Sequence, residues 1–170
     1  YKLIFSALGY IKDSLTIEYN QIDETKSLQI DIKLESVHPG DNFVLNNIYF
    51  HPNTYAFRRG AKAEFEALFN FMKINDLAII EIQGHTNGDY FIRKDKHFKH
   101  LSEEWNFQGT SKKLSKYRAE TVKKYLTGNG ISEDRIKTQG FGGEKMIIAN
   151  PKNYTESLKN MRVEIRILEI

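Results

Sequence analysis

The 170-residue sequence contains no cysteine. That absence excludes disulfide staples, cysteine nucleophiles and thiolate metal sites together, and it is compatible with an exported protein. No apolar run approaches the roughly 20 residues that a membrane-spanning helix needs, and no charged-then-apolar export signal opens the chain. Charge of one sign is also scarce: 25 basic residues stand against 22 acidic ones, a formal excess of +3, and the two signs are interleaved. Nucleic acid is therefore not implied as a partner. The chain has no internal repeats or low-complexity tracts.

Hydrophobic residues make up 40% and charged residues 28%, which excludes a disordered or collagen-like chain and predicts a compact fold. The length suits one main domain plus an appended element. Because the first residue is Tyr1 rather than Met, we expect a processed or excised part of a longer polypeptide.

The opening stretch reads as short strands, from Lys2 to Ala7, Ser14 to Tyr19 and Leu28 to Leu34, the last with apolar residues at every second position. His38-Pro39-Gly40-Asp41 is a chain-reversal signal, which divides the chain into a strand-rich segment, 1–37, and a main domain, 38–170. In the main domain Phe43 to Phe50 reads as the first strand, broken by His51-Pro52-Asn53. Phe57, Ala61, Phe65, Leu68, Phe69 and Met72 then line one face of a helix. Leu77 to Gln83 is a nearly continuous apolar strand, expected to be buried on both sides and ending at Gly84.

Ser111 or Ser115 starts a second helix, and Gly128 and Gly130 suit its end. Its stripe of Leu114, Arg118, Val122, Tyr125 and Leu126, with Ala119 beside it, places an arginine in the middle of an apolar face. A guanidinium there either snorkels to the edge or finds an anion. Arg135 to Gly140 reads as a third strand, and Arg162 to Ile167 alternates strictly as a closing one. The order β-α-β-α-β-β predicts an α/β fold, an α+β sandwich with helices on one face of a mixed sheet.

Three blocks carry a resemblance: Gly84-His85-Thr86-Asn87, Leu114-Ser115-Lys116-Tyr117-Arg118-Ala119, and Asn160-Met161-Arg162-Val163-Glu164. Asn47-Ile48-Tyr49-Phe50, Val122 to Leu126 followed by Gly130-Ile131, and Arg135-Ile136 leading to Gly140-Phe141-Gly142 support them in order and spacing. Across about residues 42 to 170 the set resembles the OmpA/MotB C-terminal family. The leading segment is more loosely similar to the strand-rich region that precedes this domain in many proteins of the Bacteroidetes type. The resemblance implies a periplasmic module, associated with the outer membrane, that anchors an envelope protein or complex to peptidoglycan. The same resemblance implies binding of the diaminopimelate-bearing stem peptide without cutting it; no cofactor and no metal are expected.

Diaminopimelate presents an ammonium and a carboxylate. In the family, the aspartate closing Gly-His-Thr-Asp takes the ammonium and the helix arginine takes the carboxylate, and Arg118 falls on that arginine. Here the aspartate is Asn87, a neutral amide. Candidates to replace part of the missing charge are Asp89 nearby, or Asp95, Glu103 or Glu104 within a longer-than-usual segment, Gly88 to Thr110. Asn53 matches the loop asparagine that meets the stem peptide, Arg162 the second arginine of Asn-Arg-Arg, and Ser111 stands where the family has asparagine. Thr86 completes the expected set. His51 stands where the family has aspartate.

Two readings stay open. One is the wall anchor with Arg118 at its centre. The other is a protein-interaction module that has lost wall binding through Asn87 and docks another envelope protein through the 88–110 insertion, whose Phe98, Trp105 and Phe107 either pack it down or form a partner face. An enzyme is not expected. His85 reads as a structural histidine at a strand end, the five histidines lack zinc spacing, and the carboxylate pairs Glu103-Glu104 and Glu133-Asp134 suit helix starts and turns rather than glycoside cleavage. Gly140-Phe141-Gly142-Gly143 follows no phosphate-binding pattern, and the basic run from Arg93 to His100 reads as a solvated insertion.

Overall fold

A computed structural model of the chain describes residues 2–5, 10, 13–16, 30–45, 50–58, 60–94 and 99–170. It divides into two compact units, 1–38 and 39–170. In the first unit, β1 (Lys2–Phe5) and β2 (Asp13–Thr16) form an antiparallel pair, and Tyr10 bridges Ser36. The strand expected over 28–34 is not formed across its described part. Residues 30 to 35 alternate between half-buried and exposed, yet they join no ladder, because alternation supplies a face but not a bonding partner.

The second unit carries β3 (Asn42–Leu45), α1 (Ala61–Ile74), β4 (Ile79–Gly84), β5 (Phe91–Ile92), β6 (Gly109–Thr110), α2 (Ser111–Gly128), β7 (Ile136–Gly140), α3 (Tyr154–Asn160) and β8 (Val163–Glu169). Four of the strands form a mixed sheet in the order β3-β8-β4-β7. β8 is antiparallel to both β3 and β4, and β4 runs parallel to β7. The parallel pair requires a crossover, which α2 supplies. The fold class is the mixed α/β arrangement expected from the element order, with α3 as an addition.

Register sorts the sheet into two chemically different faces. Phe43 lies opposite Ile165, Leu45 opposite Val163, and Ile80 opposite both Ile136 and Ile167. These residues share one side, since side chains alternate along a strand. Val44, Glu81, Lys137 and Arg166 point the other way, and none of them is buried. On that side of β4 Ile79 and Glu81 are half-buried and Gln83 is buried, so the two-sided burial expected from the sequence is reached only at the end of the strand. Leu77, counted in its apolar run, is 79% exposed in the turn before the strand.

The two long helices close over the apolar side. α1 places Phe71 edge-on against Phe43, with ring centroids 6.1 Å apart. It meets α2 where Phe65 packs on Tyr125 at 5.1 Å. α1 begins four residues later than the apolar spacing suggested, because Phe57 bridges back to Phe50 instead. α2 buries Leu114, Ala119, Val122 and Leu126 completely, and the Thr110 side chain accepts from the Lys113 N–H to cap it, worth about 1 kcal/mol.

The approach of α2 to the sheet depends on two missing side chains. Gly84 and Gly140 lie opposite one another at the ends of β4 and β7. A Cβ on Gly84 would stand 2.0 Å from the Ser115 carbonyl oxygen, and one on Gly140 would stand 2.5 Å from the Lys116 amide nitrogen. No side chain fits at those distances, so glycine at both strand ends lets the first turns of α2 rest directly on backbone. The loops that follow β4 and β7 are thereby gathered around the N-terminal half of α2.

Candidate functional site

Arg118 lies on the buried stripe of α2, two turns after Ser111, so the two residues share a face about 10 Å apart along the axis. Only 4% of Arg118 is exposed. Its Nε donates to the Thr54 carbonyl at 2.9 Å and its Nη2 to the His51 carbonyl at 3.4 Å, while its guanidinium carbon lies 4.9 Å from the centre of the Phe50 ring. Among the described residues, no carboxylate pairs with it and no acceptor meets Nη1. Burial lowers its pKa to about 10, with the Tyr90 phenol acting in the opposite direction, so at neutral pH it remains a cation. The stripe thus holds a fixed positive charge that is positioned by backbone dipoles and, among the described residues, is not neutralised by an anion.

The loop from His51 to Tyr55 does the holding. Thr54 is buried, and its hydroxyl both donates to the His51 carbonyl and accepts from the Ala56 amide. Asn53 has a positive φ of 56° and is exposed; asparagine tolerates that conformation better than most residues. The side chains that were singled out here are therefore less engaged than the backbone, since it is the carbonyls of His51 and Thr54 that reach Arg118.

The insertion braces the same loop. Its β5 and β6 pair antiparallel, and the Tyr55 amide donates to the Glu104 carbonyl at 3.1 Å. Trp105 lies over His51 with ring centroids 4.4 Å apart. Phe107 is buried in a cluster with Ile92 and Leu114, against Tyr55 and Tyr117. Trp105 and Phe107 thus pack the insertion down. Arg93, Lys94, Lys99 and His100 are exposed. Residues 95–98, which include Asp95, His97 and Phe98, lie outside the described residues, as do Asn46 to Tyr49.

The loop after β4 is fixed at several points. Thr86 is buried; its amide donates to the Gly142 carbonyl and its hydroxyl to the Gly88 carbonyl. Asp89 Oδ1 accepts from the Ser111 hydroxyl at 3.1 Å and from the Gly143 amide at 2.8 Å. Ser111 also exchanges two bonds with the backbone of Tyr90, at 2.9 Å and 3.3 Å. Asn87 is half-buried, and its Oδ1 accepts from Asn160 Nδ2 at 2.7 Å.

Arg162 belongs to a separate network. Its Nε donates to Glu164 at 2.6 Å, its Nη1 to the Asn160 carbonyl and its Nη2 to the Lys145 carbonyl. Its charge is met by Glu164, whereas among the described residues no carboxylate meets that of Arg118. His85 is 1% exposed, stacks on Phe141 and stands 3.7 Å from Glu164. Burial, and then Arg162, hold its pKa near 4 against the pull of Glu164, so the ring is neutral at physiological pH.

The structure thus brings Asp89 and Ser111 into contact, places Arg118 on the same helix face as Ser111, and connects Asn87 through Asn160 to Arg162. Sequence reasoning did not single out the carbonyls of His51 and Thr54, the Phe50 ring, Tyr90 or the side chain of Asn160. Of these, Phe50 and Asn160 already stood in quoted motifs, and the others had no visible signal. The family model described as the OmpA family matches residues 49–159. The chain belongs to the OmpA family.

Solved structures agree with that membership. The periplasmic domain of Helicobacter pylori MotB (residues 78–256) superposes with a TM-score of 0.58 at 18% identity, covering 79% of this chain and 80% of that one. The peptidoglycan-associated lipoprotein from Burkholderia pseudomallei gives 0.53 at 19% identity, over 71% and 87%. The cell wall anchor of the T6SS from Pseudomonas aeruginosa gives 0.54 at 14% identity, over 76% and 80%. At these identities the likeness is one of fold.

Proposed function

We propose that this OmpA-family domain is a non-catalytic peptidoglycan-binding module that works in the periplasm and fastens an outer-membrane or other envelope assembly to the cell wall. The observation that carries the reading is Arg118: a buried cation, held by two backbone carbonyls, with no carboxylate partner among the described residues. A desolvated charge without a counter-ion is costly unless an anion arrives to meet it. A fork-shaped guanidinium is suited to the carboxylate of a stem-peptide amino acid, with charge-assisted bonds worth roughly 1.5 to 3 kcal/mol each.

In this reading Ser111, Asp89, Thr86 and Asn87 shape the pocket on the side of the β4 loop, Asn53 lies at its rim, and Arg162 positions Asn87 through Asn160. The MotB, lipoprotein and T6SS-anchor likenesses support the wall-anchoring class. The test is co-sedimentation with purified peptidoglycan sacculi. Wild-type protein is expected in the pellet and Arg118→Ala in the supernatant, with both folded by circular dichroism. Equal retention of the two removes Arg118 from the account.

A second reading, docking of another envelope protein through the 88–110 insertion, is favoured by Asn87 in place of the family aspartate. If the wild type stays soluble with sacculi and Asn87→Asp pellets, that reading holds instead.

A further inference from the structure

The amide of Asn87 has a defined orientation. Asn160 grips the backbone of Ile148 at both ends, with Oδ1 accepting from the Ile148 amide at 2.9 Å and Nδ2 donating to its carbonyl at 2.8 Å. Turning the Asn160 amide over would set donor against donor and acceptor against acceptor, so its Nδ2 is fixed towards Asn87. The atom of Asn87 that meets this donor must be the oxygen, as observed at 2.7 Å. The Nδ2 of Asn87 is therefore the half that remains, and it has no partner among the described residues. An aspartate here would keep the bond from Asn160 and present a second, anionic oxygen; asparagine presents two N–H donors instead.

The loop carrying Asn87 runs to the Arg118 face of α2. Two residues on, Asp89 bonds Ser111, and Tyr90 is held to the same serine by its backbone. Asp89 Oδ1 is already occupied by the Ser111 hydroxyl and the Gly143 amide. An ammonium placed beside Asn87 would bring three donors against two. Acylation of that nitrogen removes its charge and supplies a carbonyl, which is an acceptor.

Building on the wall-binding reading, we infer that Asn87 converts the ammonium end of the pocket into a donor site, so that the domain takes an N-acylated amino-acid carboxylate rather than a free amino-acid head. Arg118 holds the carboxylate, and Asn87 Nδ2 donates to the acyl carbonyl. In wall chemistry this group is a diamino acid whose amine is joined to a neighbouring peptide.

The test compares meso-diaminopimelate with its di-N-acetyl derivative, titrated into the wild-type chain, Asn87→Asp and Arg118→Ala, and followed by amide chemical shifts. Wild type is expected to bind the acetylated probe about tenfold more tightly, the ratio that one hydrogen bond made or missed produces. Asn87→Asp, which keeps the acceptor for Asn160, reverses the preference, and Arg118→Ala loses both probes. A wild type that prefers the free diamino acid, or an Asn87→Asp variant with unchanged preference, overturns the inference and leaves wall binding standing. Failure of wild type and Asn87→Asp to bind either probe or sacculi overturns the wall-binding reading and the inference with it.

Discussion

Replacing Gly84 by alanine adds one methyl group at the point where α2 touches the sheet. That Cβ would lie 2.0 Å from the Ser115 carbonyl oxygen and 2.7 Å from its carbonyl carbon, whereas carbon and oxygen settle no closer than about 3.3 Å. Relief requires α2 to retreat by about 1 Å, because the obstacle is backbone and cannot rotate away. A gap of that size forfeits a quarter to a half of the dispersion contact along the helix face. It also pulls the Ser115 hydroxyl from the Gly142 amide, now 2.9 Å apart. Overpacking costs about 1 to 3 kcal/mol where side chains can adapt, so a backbone obstacle places Gly84→Ala at about 3 kcal/mol, a fall of roughly 10 °C in Tm for a domain of this size. Denaturant unfolding at constant slope measures the change through its midpoint. Gly128→Ala is the control: its added Cβ meets nothing within 4 Å, and it should be neutral or stabilising by up to about 1 kcal/mol. A Gly84→Ala protein within about 0.5 kcal/mol of wild type would refute the direct seating of α2 on the sheet.

Three other substitutions probe separate parts of the domain. Arg135 donates to the carbonyls of Ala78, Met72 and Asn75, at 3.0, 2.9 and 2.6 Å, and so closes the end of α1; Arg135→Ala should cost about 2 kcal/mol, and an unchanged denaturation midpoint would show these bonds to be idle. Asn160→Ala strands the amide and carbonyl of Ile148 and should cost about 2 kcal/mol, with altered shifts at Asn87; stability loss without any change at Asn87 would break the proposed coupling. His85, neutral in the fold with a pKa near 4, takes up a proton near 6.5 once unfolded. Stability should therefore fall by up to about 3 kcal/mol as pH drops from about 6.5 to 4, and His85→Gln should flatten that part of the pH profile; an unaltered slope assigns it to other groups.

Much of the main domain was readable in the sequence because its burial is periodic. The alternation over Arg162 to Ile167 became β8, Val163–Glu169, and the stripe on α2 became the buried face that carries Arg118. α3, Tyr154–Asn160, was missed because seven mostly polar residues bury only Asn160 and show no apolar period. Two-sided burial of β4 is reached only near Gln83, for a different reason. Apolar composition reports burial but not how many layers supply it, and this sheet has its long helices on one side. At the site, Arg118 stood out as a cation on an apolar face. The carbonyls of His51 and Thr54 that hold it did not, since every residue has a carbonyl and only the fold selects two. The bond between Asn160 and Asn87 spans 73 positions, which no local pattern reveals.

The central claim is that Arg118 is a buried cation waiting for the carboxylate of a cell-wall amino acid. It is tested most directly by calorimetric titration of a soluble, peptide-bearing peptidoglycan fragment into wild type and Arg118→Ala. Loss of a charge-assisted pair worth about 2 kcal/mol predicts about a thirtyfold rise in Kd for a variant that is still folded. The same Kd for both proteins would contradict the account.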